Sequence, residues 1–405
     1  MAFFQPGDVF VEKVLISGQR GEIDCTPFLF NASIYESIFT PGIVAEIVLM
    51  ENTDVTNVLP IVGEETVNIT FTTPTRGSAS YDFIINKLRG SFSGDNLRTK
   101  IYTLECASAH LLNDKSTLVN KSWNTQISSI ISEIHSQFLK ASKGLTVESP
   151  TSGIQNFIAP NKRPLAAIDM LRRRATSVQE QSSSYVYFEN RDEFKLATLE
   201  KLFQGTVSDR IYTQQAAANY SINNVTFNTI ISLNFDQQFD SAAKLAAGGV
   251  SSEVRQFDFH LLKMLKTVVN IDESSYSRAD SGSTTSGTFK GQFGTPGKSY
   301  TIPTDSSRPP TGIPEAAPHQ GAMAALAGQG NVLFNVPGDS QLKAGEMCEV
   351  RVYIKTSSTG NEELEPNISG NYLITRLRHQ INHPSAKPRY ICAIEGIKAS
   401  YKTGV

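Results

Sequence analysis

The residues of this chain that could do acid–base or metal chemistry are few and widely spaced. Glu64 and Glu65 are adjacent carboxylates, but they enter a segment that alternates like a β-strand, where consecutive side chains point to opposite faces. They cannot jointly flank one substrate bond, so a role in a turn or an interface is favoured. His379 and His383 have the spacing that brings two metal ligands together on a helix. Strand-like alternation before them and Pro384 after them instead predict surface histidines where a strand meets a loop.

The remaining candidate groups lack the partners that such chemistry needs. Four histidines have no cysteine or second histidine nearby in the sequence: His110, His135, His260 and His319. Four cysteines are dispersed without a CxxC pair: Cys25, Cys106, Cys348 and Cys392. A disulfide framework or a zinc site is therefore not expected, and free thiols in the core are favoured. Gly282-Ser283 has no strand before it, which argues against a nucleophile elbow.

Two further features have both a chemical and a structural interpretation. Arg172-Arg173-Arg174 could clamp a phosphate, but at the end of an amphipathic helix such a run is more often a solvated face or a partner of the helix dipole. Trp123 heads an apolar helical stripe, which favours core packing over ligand stacking. No Walker loop or GxGxxG motif is present. We therefore predict a protein that is not an enzyme and has no catalytic, cofactor-binding or metal-binding residue.

Composition sets the outer limits of this chain. Its 405 residues suggest two to four domains, and 40% hydrophobic with 19% charged residues describes an ordinary folded protein. The net charge of −2 provides no basic field for non-specific capture of nucleic acid. No apolar run approaches the ~18 residues of a membrane span, and the N-terminus lacks the pattern of a signal peptide. The cysteine content favours a cytoplasmic origin.

A repeat of β type is the most informative pattern in the chain. Residues 59–71 and 342–354 each place a Gly-Glu pair ahead of a segment whose apolar residues recur at every second position. This is the period of a strand in a sheet with one buried face. The two segments match one residue out of step. They predict two similar β units in one chain, which would let three copies fill six positions around an axis.

The patterns between these repeats divide the chain into four parts. Residues 1–115 alternate like a small barrel or sandwich. Residues 116–205 predict an α+β unit, with one helix from the N-cap Ser122 to Gly144, a second helix from Pro164, and a hairpin of residues 185–189 and 194–196. Residues 206–273 with 319–405 predict a second β unit, including a strand at 225–235 and a helix at 240–247. Residues 274–318, rich in Ser, Thr, Gly and Pro, predict an insertion loop.

This order of elements resembles the baseplate hub proteins of contractile-tailed bacteriophages of the T-even and cyanophage type. The resemblance covers most of the chain except 274–318. It is carried by segments of both β units and of the middle unit: residues 33–39, 59–74, 157–160, 163–172, 185–190, 199–203, 239–241, 248–249, 335–339, 342–346 and 369–374.

The resemblance implies a mainly β fold with an α+β middle domain and two tube-type β-barrels per chain. It implies a homotrimer whose six barrels form a pseudo-six-fold ring that joins the hexameric tail tube to the trimeric central spike. DNA would pass through the ring, and the tape measure protein and the baseplate wedge proteins would be further partners. The location would be the virion tail baseplate, assembled in the host cytoplasm without membrane binding. We expect a channel lining without net positive charge, because phosphate contacts would retard DNA.

Three alternatives stay open at this point. The hub portion of a type VI secretion spike would be similar, but such proteins generally continue into a repetitive β needle, which this sequence does not contain. A trimeric receptor-binding tail protein would be expected to contain fibre-like repeats. A tail-associated cell-wall hydrolase would need a carboxylate pair or metal cluster that the sequence does not place.

Overall fold

The fold was analysed in a computed structural model. It describes residues 5–51, 61–74, 76–93, 99–180, 182–207, 209–214, 226–237, 241–246, 248, 251–270, 297–304, 316–321, 323, 331–355, 362–365, 368–383 and 389–398.

The N-terminal barrel is built from seven strands. They are β1 (Phe10–Gly18), β2 (Gly21–Asp24), β3 (Leu29–Ser37), β4 (Val44–Glu51), β5 (Thr66–Thr73), β6 (Gly77–Ser93) and β7 (Thr99–Ala107). Hydrogen bonds join them antiparallel in the order β3-β4-β7-β6-β5-β1-β2. The alternation that predicted β5 has its expected basis, because Val67, Ile69 and Phe71 are all fully buried in the barrel core.

The middle unit follows and has its own core. Its elements are α1 (Ala109–Ser116), β8 (Val119–Thr125), α2 (Ile127–Glu133), a π-helical turn (Ile134–Leu139), β9 (Leu145–Val147), β10 (Gln155–Lys162), α3 (Pro164–Arg172), β11 (Tyr185–Glu189), β12 (Phe194–Thr198) and α4 (Leu199–Phe203). Pro164 is at the start of α3, as predicted. The predicted hairpin is confirmed, since β11 and β12 pair antiparallel.

The first helix of the middle unit was predicted too long at both ends. Ser122 and Trp123 belong to strand β8, and α2 begins at Ile127 with Gln126 before it. Trp123 lies opposite Phe157 of β10, so cross-strand aromatic packing replaces the helical arrangement that the apolar spacing suggested. The π-helical turn ends at Lys140 in a left-handed conformation (φ 48°), so Gly144 is not the C-terminal residue of this helix.

The C-terminal part supplies the remaining elements. They are β13 (Ile211–Gln214), β14 (Ser232–Gln237), α5 (Ser241–Ala246), β15 (Ser251–Asp258), β16 (Lys263–Asn270), β17 (Lys298–Thr304), β18 (Asn331–Pro337), β19 (Met347–Lys355), β20 (Glu362–Leu364), β21 (Gly370–Asn382) and β22 (Arg389–Lys398). The second barrel has the order β14-β18-β22-β21, and β21 also pairs with β19, which pairs with β13 and β20.

Two predictions for this part need correction. The strand expected over 225–235 begins only at Ser232, after a turn in which Thr229 Oγ1 accepts a hydrogen bond from the backbone N–H of Thr226 (2.9 Å). The 274–318 segment is not loop throughout, because β17 joins β15 and β16 in a separate three-stranded sheet, and residues 316–321 are helical. Alternating Tyr300 and Ile302 within a Ser/Thr-rich stretch suffice for a parallel edge strand. Residues 274–296 and 305–315 lie outside the described part of the chain.

One strand pairing joins the two barrels. The C-terminal half of β21 pairs antiparallel with β3, from Arg376 opposite Ser37 to Asn382 opposite Asn31. Eight strands therefore form one continuous run, β14-β18-β22-β21-β3-β4-β7-β6. One face of this run covers a core shared by both barrels, where the rings of Phe71 and Tyr390 meet edge to face at 5.3 Å. We call the opposite face of these eight strands the open face.

Candidate assembly interface

The two barrels have the same strand order. In the first barrel the order is β3-β4-β7-β6-β5-β1, and in the second it is β14-β18-β22-β21-β19-β13. Each strand has a counterpart at the same place in the chain order of its barrel, so the duplication extends well beyond the repeated Gly-Glu segment. One pairing differs: β1 is antiparallel to β5, whereas β13 is parallel to β19.

Backbone geometry aligns β6 with β21 residue by residue. Ile85 donates its N–H to the carbonyl of Glu65 at 2.9 Å, and Ile374 donates to the carbonyl of Glu346 at 2.9 Å. Both strands then have a β-bulge directly after these isoleucines, between Ile85 and Lys87 and between Ile374 and Arg376. The same irregularity at the same place indicates a true internal repeat.

The aligned strands also match in sequence, which our sequence analysis missed. Phe83-Ile-Ile-Asn-Lys-Leu-Arg89 corresponds to Tyr372-Leu-Ile-Thr-Arg-Leu-Arg378. The ion pairs are repeated as well: Lys87 Nζ lies 3.5 Å from Glu105 Oε2, and Arg376 Nη1 lies 2.9 Å from Glu395 Oε2. Comparing the sequence with itself in windows of seven residues, instead of searching for one turn, would have found this pair of segments.

The repeated Gly-Glu segments form turns. Gly63 and Gly345 have φ values of +107° and +87°, in the left-handed region that favours glycine. The carboxylate of Glu65 accepts backbone N–H groups from Val62, Gly63 and Glu64 at 2.9–3.2 Å. Burial opposes ionisation of Glu65, but these donors hold its pKa below the usual value. This is the turn role that the sequence favoured.

The junction between β21 and β3 is buried on its core face. Leu377, His379 and Ile381 of β21 are all buried. The Nδ1 atom of His379 lies 2.5 Å from the hydroxyl oxygen of Tyr390. Burial lowers the pKa of His379 to about 3, so the imidazole is neutral. His379 is therefore a core residue rather than the predicted surface histidine, and His383 follows at the end of the extended strand.

The first barrel has an equivalent of this junction, and no described strand lies against it. On β6 the counterpart of the paired half of β21 is residues 87–93. Within the described residues this stretch pairs with β7 on one side only. Leu88, the counterpart of Leu377, is 42% exposed, whereas Leu377 is 1% exposed. We call residues 87–93 the β6 edge.

The strand that corresponds to β3 also has a described neighbour on one side only. By position in the barrel, β14 is the counterpart of β3. It pairs with β18, and no other described strand contacts its far side through hydrogen bonds. The half-buried Leu233 and Phe235 pack on the shared core, while Asn234 is exposed. We call residues 232–235 the β14 edge. The chain thus has two different strand edges, and the counterparts of these edges, on β21 and β3, pair with each other inside the same chain.

The other candidate residues have structural partners. The Nε1 atom of Trp123 donates to Glu133 at 2.8 Å. Arg172 and Arg173 form ion pairs with Asp169 at 2.5 and 2.7 Å. All four cysteines are buried and free. In the described part of the chain no group of three or more His, Cys, Asp or Glu side chains is arranged to hold a metal ion, and no helix is long and apolar enough to span a membrane.

One buried cluster brings together serine, glutamate and histidine side chains, with His319 Nε2 lying 3.4 Å from Glu200 Oε1. The hydroxyl of Ser182 donates to the carboxylate of Glu200 at 2.6 Å, and that of Ser184 donates to the same carboxylate. The Nδ1 atom of His319 accepts the backbone N–H of Ser183 at 3.2 Å. All of these side chains are buried, so the cluster ties the segment around 319 to the middle unit. Burial lowers the pKa of His319 to about 4.

Comparison with solved structures identifies the fold. No family profile and no curated protein sequence matches this chain. A tail protein from Neisseria meningitidis MC58 superposes over 95% of this chain and 96% of its own length, with a TM-score of 0.55 and 9% identity. The 43 kDa tail protein of prophage MuSo2 from Shewanella oneidensis superposes over 96% of this chain and 99% of its own length, with a TM-score of 0.58 and 7% identity. Both matches cover the middle unit as well as the two barrels, so this mainly β chain has the fold of phage tail proteins, as the resemblance implied.

Proposed function

We propose that this chain is the structural baseplate hub of a contractile phage tail. Three copies form a ring of six barrels that joins the hexameric tail tube to the trimeric central spike. The duplication of the barrel, down to a shared bulge in β6 and β21, carries the proposal. Closed rings repeat one interface around an axis, and partners of unequal symmetry need an adaptor. A chain with two equivalent barrels meets that need with three copies.

The open face supports a role as a conduit. In the proposed ring the eight-strand run of each chain contributes to the wall of the channel, with its buried face turned to the barrel cores and its open face to the lumen. Strands are suited to this position because alternate residues serve the two surfaces separately. The lumen would then be lined mostly by the polar and charged side chains of the open face.

The charge on the open face departs from our expectation of a lining without net positive charge. Strand alternation places five basic and four acidic described side chains on this face: Lys87, Arg89, Arg376, Arg378 and Arg389, with Glu46, Asp82, Glu105 and Glu395. Lys87 and Arg89 are ion-paired with Glu105, and Arg376 is ion-paired with Glu395. These carboxylates compete with DNA phosphates for the same cations, which keeps DNA contacts weak during passage.

The remaining parts of the proposal follow from the same assembly. The partners are the tail tube ring and the spike, with the tape measure and wedge proteins as further contacts, and the location is the virion baseplate. The protein acts without catalysis. The domain division at 1–115, 116–205 and 206–273 with 319–405 belongs to the proposal, with 274–318 amended by strand β17.

Native mass spectrometry and negative-stain electron microscopy of the purified full-length chain test this function. We expect a mass of three chains and a ring with six peripheral lobes. The same ring should bind purified tail tube protein on one face. A closed hexamer of this chain, or a chain that stays monomeric at about 100 μM and does not bind tube protein, would contradict the hub role.

A further inference from the structure

We propose that the β6 edge of one copy pairs antiparallel with the β14 edge of the next copy, in the register of the β21–β3 junction inside each chain. This inference rests on the proposed ring and specifies its subunit interface. Its partner is a second copy of this chain. The two edges are different surfaces, so the contact is heterologous and propagates around an axis until it closes.

The register can be derived because each strand at the internal junction has a counterpart. The bulges and the Ile85–Glu65 and Ile374–Glu346 hydrogen bonds fix the correspondence between β6 and β21. On that basis Gly90 corresponds to His379. The next residue, Ser91, corresponds to Gln380.

The correspondence between β3 and β14 comes from the strands beside them. Ile34 of β3 lies opposite Ala45 of β4, which in turn lies opposite Cys106 of β7. In the second barrel Phe235 lies opposite Val332 of β18, which lies opposite Gly396 of β22. Cys106 and Gly396 are equivalent, since they lie opposite the matched residues Ile85 and Ile374. Phe235 therefore corresponds to Ile34, and Asn234 corresponds to Ser33.

The internal junction then predicts the pairs between chains. Gln380 lies opposite Ser33, so Ser91 lies opposite Asn234 of the neighbouring copy. His379 lies opposite Ile34, so Gly90 lies opposite Phe235 of the neighbouring copy.

Backbone hydrogen bonds at the internal junction also show which opposite residues hydrogen bond to each other and which do not. His383 donates its N–H to the carbonyl of Phe30 at 2.9 Å, and Ile38 donates to the carbonyl of Thr375 at 3.0 Å. Hydrogen-bonded and non-hydrogen-bonded pairs alternate along an antiparallel ladder. The pair Ser33–Gln380 lies three positions from the hydrogen-bonded pair Phe30–His383, so its two residues do not hydrogen bond to each other through the backbone. Such pairs have the closer Cα atoms, about 4.5 Å apart. The pair Ser91–Asn234 inherits this close geometry.

Burial and charge are consistent with such pairing. Leu88 is exposed where its counterpart Leu377 is covered, so a strand and barrel placed against the β6 edge would remove this apolar surface from water. Lys87 and Arg89 do not block an incoming strand, because Arg376 and Arg378 occupy the same positions in β21 beside β3. An unpaired strand edge is a site for joining another chain, and here the fold already contains the matching strand.

Disulfide trapping tests the register directly. The variant S91C/N234C, mildly oxidised as the full-length protein, is expected to give disulfide-linked dimers and trimers on a non-reducing gel, and monomers after reduction. The matched control G90C/N234C places the two thiols on opposite faces of the paired strands and is expected to give at least tenfold less product. The single variants S91C and N234C control for random oxidation, and the native cysteines are buried. The variant S33C/Q380C reports the same geometry inside one chain.

The outcomes separate this inference from the proposed function. A trimer by native mass spectrometry without S91C/N234C cross-links, while S33C/Q380C oxidises, overturns the pairing and leaves the hub role standing. Equal cross-linking of S91C/N234C and G90C/N234C overturns the register. A ladder that continues past three chains supports the pairing but contradicts the closed trimeric ring. A monomer that forms no cross-links, with S33C/Q380C oxidised, overturns the pairing.

Discussion

Tyr81 of β6 donates a hydrogen bond to Glu36 of β3 at 3.1 Å inside the shared core. The other carboxylate oxygen of Glu36 accepts the backbone N–H of Ala344 at 3.0 Å. Ala344 directly precedes the Gly345 turn of the second barrel, so one buried carboxylate connects both barrels at the junction strand. Burial raises the pKa of Glu36 to about 7, and its hydrogen-bond donors partly offset the shift.

Stability should fall as the pH rises through the titration range of Glu36. Its folded-state pKa of about 7 is above the ordinary value of 4.5, so the folded chain binds more protons between these pH values. The free energy of unfolding therefore decreases from about pH 4.5 to 7, by up to about 3 kcal/mol. The variant E36Q should lack this contribution. Denaturant unfolding from pH 4.5 to 8 measures it, with exposed E46Q on the neighbouring strand as the control. Identical pH slopes for wild type and E36Q would contradict the assignment.

The equivalent leucines of β21 and β6 should respond differently to truncation. Leu377→Ala removes a fully buried side chain and should lower the free energy of unfolding by about 2–5 kcal/mol. Leu88→Ala changes an exposed position and should cost less than about 1 kcal/mol in the separate chain, but it should weaken assembly. Urea unfolding measures the first effect, and sedimentation of a dilution series measures the second. A loss of monomer stability in L88A as large as in L377A would show that the β6 edge is covered within the chain.

The two turn glycines provide a second matched pair. Both have positive φ, so alanine is strained at either position by about 1–2 kcal/mol. At Gly345 an added Cβ would also lie 2.7 Å from Phe188 Cζ, whereas at Gly63 the nearest atom is 3.9 Å away. Thermal unfolding should therefore show a larger drop in Tm for G345A than for G63A. Equal shifts would mean that Phe188 moves aside without cost.

Removing the open-face carboxylates should convert the ring into a DNA-binding surface. In E105Q/E395Q, Lys87, Arg89 and Arg376 lose their ion-pair partners. We expect duplex DNA to bind this variant about tenfold more tightly than wild type at 50 mM salt, with the difference lost at high salt. Fluorescence anisotropy with a labelled duplex checks this. E253Q, which removes the partner of Arg255 and Lys266 in the separate sheet, is the control. Equal gains in both variants would argue against a lumen role for the open face.

The sequence predicts several strands of both barrels, among them β4, β5, β7, β18, β19 and β22, because alternating burial leaves a strong period of two, but it does not place β1, β6 or β13. We detect the duplication from the sequence only through the repeated Gly-Glu turn, whose two copies match one residue out of step. This offset has a structural cause. Glu65 and Glu346 occupy equivalent ladder positions, but the turn glycines Gly63 and Gly345 lie two residues and one residue before them.

Other features depend on contacts between distant segments and leave little local pattern. The strand character of Trp123 is set by Phe157 across the ladder, and the parallel pairing of β13 with β19 has no signature in either strand. The burial of His379 depends on the junction with β3, so local alternation could not distinguish it from a surface histidine. The edges of the candidate interface are recognisable only once β6 and β21 are superposed.

The junction between β21 and β3 also has a consequence for how readily the proposed ring forms. In a ring of six barrels, three of the six joints are made within single chains as they fold. Only the other three join separate molecules, and building the ring from three chains takes two encounters, each of which loses translational and rotational freedom worth several kcal/mol. Six unlinked barrels would need five such encounters, so fusing two barrels into one polypeptide removes more than half of them. The ring should therefore form at a lower subunit concentration than six unlinked barrels with the same edges.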